Sequence, residues 1–445
     1  MAELRRELGV WTAASIVVGT VIGSGIFLVP HQMILHTGSP GMVFLVWIAG
    51  GALSLFGALS YAELAAAMPE AGGEYVYLRE AYGPVWGFLY AWTQLLVAKS
   101  GSIATMATGL FLYAGNFWPS LEQKAFALGT FEIRRGQLGA VALIVGLAAV
   151  NYAGVRFGGG VQVAVTTAKV GLIAAIIVIG LGTGHGATAN LSTSVAAGGG
   201  VAGFFLALVG ALWAYDGWNN VSMVSSEIRN PQRNLPLALI AGLAGVIAVY
   251  LLANLAYFYV LPASAVAAGN RVAAEMMRRI LGDYGAAAVS VAAMISIFAA
   301  LNGSILAGAR VPYAAARDGL FPGLVARVHP VYRTPGVSIW LLSGWAAALA
   351  LSGRFEDLYT SVMFASWILY GLTGASVLTL RRKKPGMERP YRVVGYPWAP
   401  VLFVLGSASV VIAALVQHPV ESVRGLGLIA VGLPFYFHWK RRFSW

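Results

Sequence analysis

Cysteine is missing from all 445 residues, which excludes disulfides, Cys-ligated zinc and iron–sulfur clusters. Charge is nearly as scarce. Asp, Glu, Lys and Arg make up 10% of the chain, less than half of the roughly 25% that a soluble protein carries, while 58% is hydrophobic. A surface covered by this composition would not stay in water. The six histidines show no metal-like clustering, and there is neither a Gly-Lys-Ser/Thr phosphate loop nor a His-Glu-x-x-His pair. An ATP-driven pump and a membrane metalloprotease are disfavoured, and neither a metal nor a cofactor is expected. No acid, base and nucleophile are grouped as an enzyme needs, and no stretch remains for the soluble output domain of a sensor.

What the chain has is a succession of apolar runs bounded by Pro, Gly or charge, each long enough for a helix to approach or cross the ~30 Å hydrocarbon layer. They fall at 11–36, 42–67, 84–115, 137–154, 161–182 and 200–227. A second set follows at 237–261, 284–312, 336–352, 358–380, 398–417 and 424–439. The predicted fold class is therefore an all-α polytopic membrane protein of twelve transmembrane helices, a single transmembrane domain over 1–445. Arg5 and Arg6 ahead of the first run resemble a signal peptide, but no small-residue cleavage site follows, so the run is read as a retained span. The net charge of +12 points to orientation in a bilayer rather than to nucleic acid, because most of the 29 Lys and Arg residues lie in loops after even-numbered spans. Both termini, and the basic stretch from Arg381 to Arg392, are expected in the cytoplasm, with the chain in the cell inner membrane.

The first and sixth runs are interrupted part-way by small or polar residues. Gly23-Ser24-Gly25 divides one; Tyr215-Asp216-Gly217-Trp218-Asn219-Asn220 divides the other. Matching interruptions five spans apart are what an inverted repeat produces, helices 1–5 over 11–182 and helices 6–10 over 200–380, with peripheral helices over 398–439. A broken helix leaves amide and carbonyl groups that protein, water or ligand must satisfy. At Gly23 to Gly25 a half-helix start offers amides and partial positive charge to a carboxylate. Around Tyr215 to Asn219, freed carbonyls and the Asp216 carboxylate can accept from an ammonium. One site recognising both ends suits an amino acid. The competing reading makes Gly19, Gly23 and Gly25 a small-residue packing face.

Three ionisable residues lie well inside runs, where a charge costs about 2.5–3.5 kcal/mol on insertion scales: Lys99, Lys169 and Asp216. Each needs a partner or a purpose. Lys169 is nearly mid-run, too deep to snorkel. Glu63, Glu227 and Arg310 are close to run ends, where solvated heads or loop salt bridges are the ordinary explanation. Trp213 and Trp218 flank the second break, and either could close over a bound side chain.

These residues resemble the amino acid, polyamine and organocation superfamily, in its L-type amino acid transporter branch. The resemblance rests on Gly19-Thr-Val-Ile-Gly-Ser-Gly-Ile-Phe27, Ser60-Tyr-Ala-Glu-Leu64, Gly72 to Gly83, Ala214-Tyr-Asp-Gly-Trp-Asn219 and Glu227 to Pro236, then Leu301-Asn-Gly-Ser304, Ala316-Arg-Asp-Gly319 and Arg389-Pro-Tyr-Arg392. It implies a LeuT-like five-plus-five inverted repeat and alternating access. It implies a substrate carboxylate held by the region of Gly23, Ser24 and Gly25, an ammonium held by carbonyls near Trp213, Ala214 and Tyr215, and a substrate site completed by Val21, Ile22, Asp216, Gly217 and Asn219. It also implies that Lys169 stands where sodium-coupled relatives bind sodium, which would make the carrier a sodium-independent exchanger of neutral L-amino acids. The alternative is a proton-coupled symporter with Lys169 as proton carrier. Three features depart from the family pattern: Trp213 stands where the aromatic gate is usually Phe, Lys99 where an uncharged residue is expected, and no cysteine is available to bond a heavy chain. The expected partners are thus the small-molecule substrate and the lipid bilayer.

Overall fold

The computed structural model describes residues 4–442 apart from 116, 129–130, 197–198, 270, 353–354 and 418. The apolar runs are helical, and the helices begin and end where local chemistry dictates. α1 (Val10–Val21) and α2 (Gly25–Thr37) are one run bent by 41° at its break. Gly38 terminates α2 at φ 78°, a left-handed conformation that glycine adopts without penalty, and Ser39 followed by Pro40 starts α3 (Pro40–Ala67). The short α4 (Glu74–Tyr82) precedes α5 (Pro84–Thr93), which passes through a π turn at Gln94–Ala98 into α6 (Lys99–Ala114). α7 (Arg135–Tyr152) and α8 (Val155–Gly182) complete the first half.

The second half opens with α9 (Gly200–Ala214) and the single turn α10 (Asn220–Met223), separated by the predicted break. α11 (Pro231–Val260), α12 (Ala263–Ala268), α13 (Val272–Gly308), α14 (Arg310–Arg317), α15 (Gly336–Ser352) and α16 (Phe355–Lys383) follow. α17 (Trp398–Gln417), α18 (Pro419–Ala430) and α19 (Gly432–Arg442) end the chain. Among the described residues, seven helices are long and apolar enough to cross a membrane, or eight with the α1–α2 pair taken as one.

Three departures from the expected pattern have local causes. The loop after α6 carries an antiparallel hairpin, β1 (Lys124–Leu128) with β2 (Phe131–Arg134), which no strict alternation of apolar and polar residues announced. The fifth helix starts at Val155 rather than 161, because Gly154 at φ 147° resets the chain direction directly after α7. α13 begins a full turn or more before the predicted run at 284 and kinks at Gly282, φ 64°.

Polar side chains fasten the helices where apolar contact alone would let them slide. Asn151 of α7 donates to Asn302 Oδ1 of α13 (2.9 Å), and Asn302 donates to Gln162 Oε1 of α8 (2.9 Å). Gln162 in turn donates to the Ser15 carbonyl of α1 (3.1 Å). Gly19 lies against this network so closely that a Cβ there would fall 2.1 Å from Gln162 Nε2. The packing reading therefore holds for Gly19.

Candidate functional site

The two breaks face each other. α2 packs along α9, and α1 along α10. Thr20 donates its hydroxyl to the Gly217 carbonyl (2.7 Å), joining the breaks directly. The Tyr250 hydroxyl of α11 lies 3.0 Å from the Val21 carbonyl and 2.9 Å from that of Ala214, so one hydroxyl serves the last carbonyls of both half-helices. Each of those carbonyls keeps a second lone pair. The amides of Gly23, Ser24 and Gly25 find no acceptor among the described residues. They form the free, partly positive start of α2.

Lys169 is fully buried. Its ammonium donates to the carbonyls of Gly19 (2.7 Å), Ile22 and Ser296 (3.1 Å). The Ser296 hydroxyl also donates to the Ile22 carbonyl (2.8 Å). Three N–H donors thus meet three carbonyls, two of them freed at the bend between α1 and α2.

A cavity of about 1420 Å³ starts at the breaks and runs along α6 toward the hairpin, where Glu122, Glu132 and Arg134 line it. Of the predicted residues, Val21, Gly23, Ser24, Gly25, Trp213, Ala214, Asp216 and Gly217 line this cavity. Three do not. Ile22 turns its side chain into the core and contributes its carbonyl to Lys169. Tyr215 is wedged between Trp47 and Tyr250, at ring distances of 5.6 and 5.1 Å, and donates to the Trp47 carbonyl. Asn219 is buried behind the break, donating to Glu74. The 3.6-residue turn sends neighbours of a lining residue to other faces, so a contiguous stretch cannot all reach one cavity.

Trp213 meets the expectation for a residue beside the site, but Trp218 is a packing residue, 4.7 Å from Tyr61 and 6.1 Å from Phe403. Lys99 lies in the cavity wall and donates to Asn220 Oδ1 (2.7 Å), within electrostatic range of Asp216. Sequence reasoning missed Tyr250 and Ser296, which nothing local distinguishes from other polar residues in apolar runs, and named Asn220 only as part of the second break.

The glycines divide between the two readings. A Cβ on Gly25 would lie 2.8 Å from Ala214 Cβ and 2.9 Å from its Cα, so Gly25 lets α2 approach α9. A Cβ on Gly23 meets only the Val21 carbonyl, at 3.9 Å, and projects into free space. Gly25→Leu therefore does not test carboxylate binding cleanly. Gly23→Val does: it is expected to leave folding intact and lower substrate affinity by tenfold or more, since a charge-assisted hydrogen bond contributes about 1.5–3 kcal/mol. Gly171→Ala, on an exposed helical face with no atom nearby, is the control. Wild-type affinity in Gly23→Val would show that the amides at this break do not hold substrate.

On the side away from the hairpin the structure is closed. Leu8 pairs with Ile228, its amide donating to the Glu227 carbonyl (2.9 Å). Glu227 and Arg310, placed by sequence among solvated run ends, are instead fully buried as a bidentate pair at 2.7 and 3.0 Å. Glu63, also expected at a wet end, is nearly buried between Arg381 (2.6 Å) and Arg389 (3.3 Å). Arg79 and the Tyr75 hydroxyl (2.6 Å) both bond Asp318 at the end of α14. Burial by itself would raise the Glu80 carboxyl, but Lys384 and Arg79 hold it below the ordinary carboxylate value.

The sequence that builds this site is similar to known ones. The family model described as amino acid permease matches residues 8–431. The chain is 32% identical to the serine/threonine exchanger SteT of Bacillus subtilis, over 99% of this chain and 98% of that one. It is 35% identical to human b(0,+)-type amino acid transporter 1, over 100% and 90% of the two chains. To the human cystine/glutamate transporter it is 31% identical, over 100% and 87%. With its run of apolar helices and a family match over nearly its whole length, the chain is a multi-pass membrane protein of the amino acid permease family, within the amino acid, polyamine and organocation superfamily.

Proposed function

We propose that the protein is a sodium-independent exchanger of neutral L-amino acids, working by alternating access on twelve spans arranged as a five-plus-five inverted repeat. Residues 11–182 and 200–380 are the two repeats of one transport domain, and 398–439 the peripheral pair. The packing supports this symmetry: α1 lies on α11 as α9 lies on α3, and α6 crosses α13. With both termini cytoplasmic, in the inner membrane, the hairpin is external and the cavity faces outward. The substrate carboxylate takes the amides of Gly23 to Gly25, and its ammonium takes the spare lone pairs at Val21 and Ala214 together with Asp216. No enzymatic step, cofactor or disulfide-linked chain enters the cycle.

The observation that carries the coupling is Lys169. An ammonium has three donors and no acceptor, and three carbonyls surround it. A neutral amine would supply only two donors and turn its lone pair on the third carbonyl. A fixed cation in a cation-sized nest leaves no role for sodium and does not release a proton each cycle. The name of the relative SteT supports serine and threonine as first probes. In proteoliposomes of the purified protein, labelled L-serine or L-threonine uptake is expected to require unlabelled amino acid inside, with or without sodium. Uphill uptake into empty vesicles driven by an inward proton gradient would replace this reading with the proton symporter.

A further inference from the structure

Glu74 is fully buried, and among the described residues no cation lies within ion-pair distance of its carboxyl group, Lys99 acting on it only from farther away. Its partners are neutral: Asn219 Nδ2 and the Ser222 hydroxyl (3.2 Å). A carboxylate taken out of water with only neutral donors is a costly arrangement, and an apolar residue would pack the same volume more cheaply. Asn219 ends the stretch that connects α9 to α10, and Ser222 lies in α10 itself. The start of α4 is pressed onto α10 by backbone contacts. Gly72 donates its amide to the Met223 carbonyl (2.9 Å), and at Gly73, φ 53°, a Cβ would fall 2.4 Å from Ser222 Oγ and 2.9 Å from the Met223 nitrogen.

The rest of α4 holds the closed face. Tyr75 and Arg79, the latter just over a turn beyond Glu74, grip Asp318, and Glu80 pairs with Lys384 just after α16 (2.5 Å). Facing the other way, Asn220, the neighbour of Asn219, takes the ammonium of Lys99 in the cavity wall. Cavity wall, broken helix, α4 and closed face are therefore one chain of direct contacts, in which Glu74 is the buried ionisable link.

We propose that Glu74 is a positioning residue of the transport cycle, making α4 follow the broken segment so that substrate settling beside Asp216 and Gly217 releases the closed face around Asp318. The proposal rests on the exchanger reading above. Because the chain has no cysteine, a single Ala316→Cys on α14, nearly buried, reports opening of that face to a membrane-impermeant maleimide. In reconstituted protein, labelling is expected to be slow without substrate and to accelerate when neutral L-amino acids are added. Glu74→Ala and Asn219→Ala should label about tenfold faster without substrate, corresponding to loss of about 1.4 kcal/mol of coupling. They should no longer respond to it, and should exchange poorly while still showing a substrate-dependent thermal shift. A purely structural role would lower stability and leave the substrate response in place. Variants that still respond as the parent does, or failure of both variants to insert and fold, would overturn the assignment to Glu74. A parent protein that shows neither response nor exchange would overturn the exchanger reading along with it.

Discussion

Lys169→Met is expected to silence exchange by at least a hundredfold while the protein still inserts. The substitution keeps an unbranched, flexible side chain one atom shorter and removes the ammonium. The Gly19 carbonyl, freed at the bend, then loses the donor it has, whereas Ile22 keeps the Ser296 hydroxyl and Ser296, inside α13, keeps its helix bond. At about 1–3 kcal/mol for a buried acceptor left unpaired, the bend between α1 and α2 loses about that much support. A hundredfold change in rate corresponds to about 2.7 kcal/mol, within that range. Lys169→Arg is not expected to restore function, because a planar guanidinium cannot point three donors at one small nest. Initial rates of serine exchange in proteoliposomes, set beside thermal unfolding of the same samples, check both. Near wild-type exchange in Lys169→Met would show that the first break holds its shape without a cation.

Arg310→Met should be the most destabilising single change in the protein. It leaves the Glu227 carboxylate buried with no charged partner, a situation that costs about 3–5 kcal/mol. A fall in the thermal midpoint of about 3–5 degrees is expected. The pairing itself is a different quantity from the damage done by halving it. Replacing both residues together, Glu227→Met with Arg310→Met, removes two desolvated charges at once and should recover most of the lost stability. Scanning calorimetry or a fluorescence melt of the two variants decides the matter. Equal damage from the single and double replacements would mean that Arg310 matters through its bond to the Leu306 carbonyl (2.5 Å) and not through the ion pair.

The apolar runs, the two breaks and the unusual depth of Lys169 were all legible in the sequence. Each is a local property. A helix break announces itself by Gly, Asp and Asn within a few residues of one another, and an isolated lysine in an apolar run has an insertion cost whatever surrounds it. Where the lysine pointed, which glycine faced the cavity and what replaced the missing helix bonds were decided by segments far away in the chain. Tyr250 reaches back to Val21, Ser296 to Ile22 and Glu74 forward to Asn219, and none carries a sequence signal that separates it from its neighbours. The run-end carboxylates Glu63 and Glu227 looked like wet ends because hydropathy measures position along a helix, not what packs across its end. Arg310 and the Arg381–Arg389 pair, brought there by the fold, made both into buried ions. Sequence alone determined that this chain builds broken helices inside a membrane, because backbone hydrogen bonding in hydrocarbon leaves few other outcomes. Only the tertiary structure decided which donors and acceptors satisfy the breaks, because a lone polar side chain in an apolar run is equally compatible with every partner that folding can bring within 3 Å.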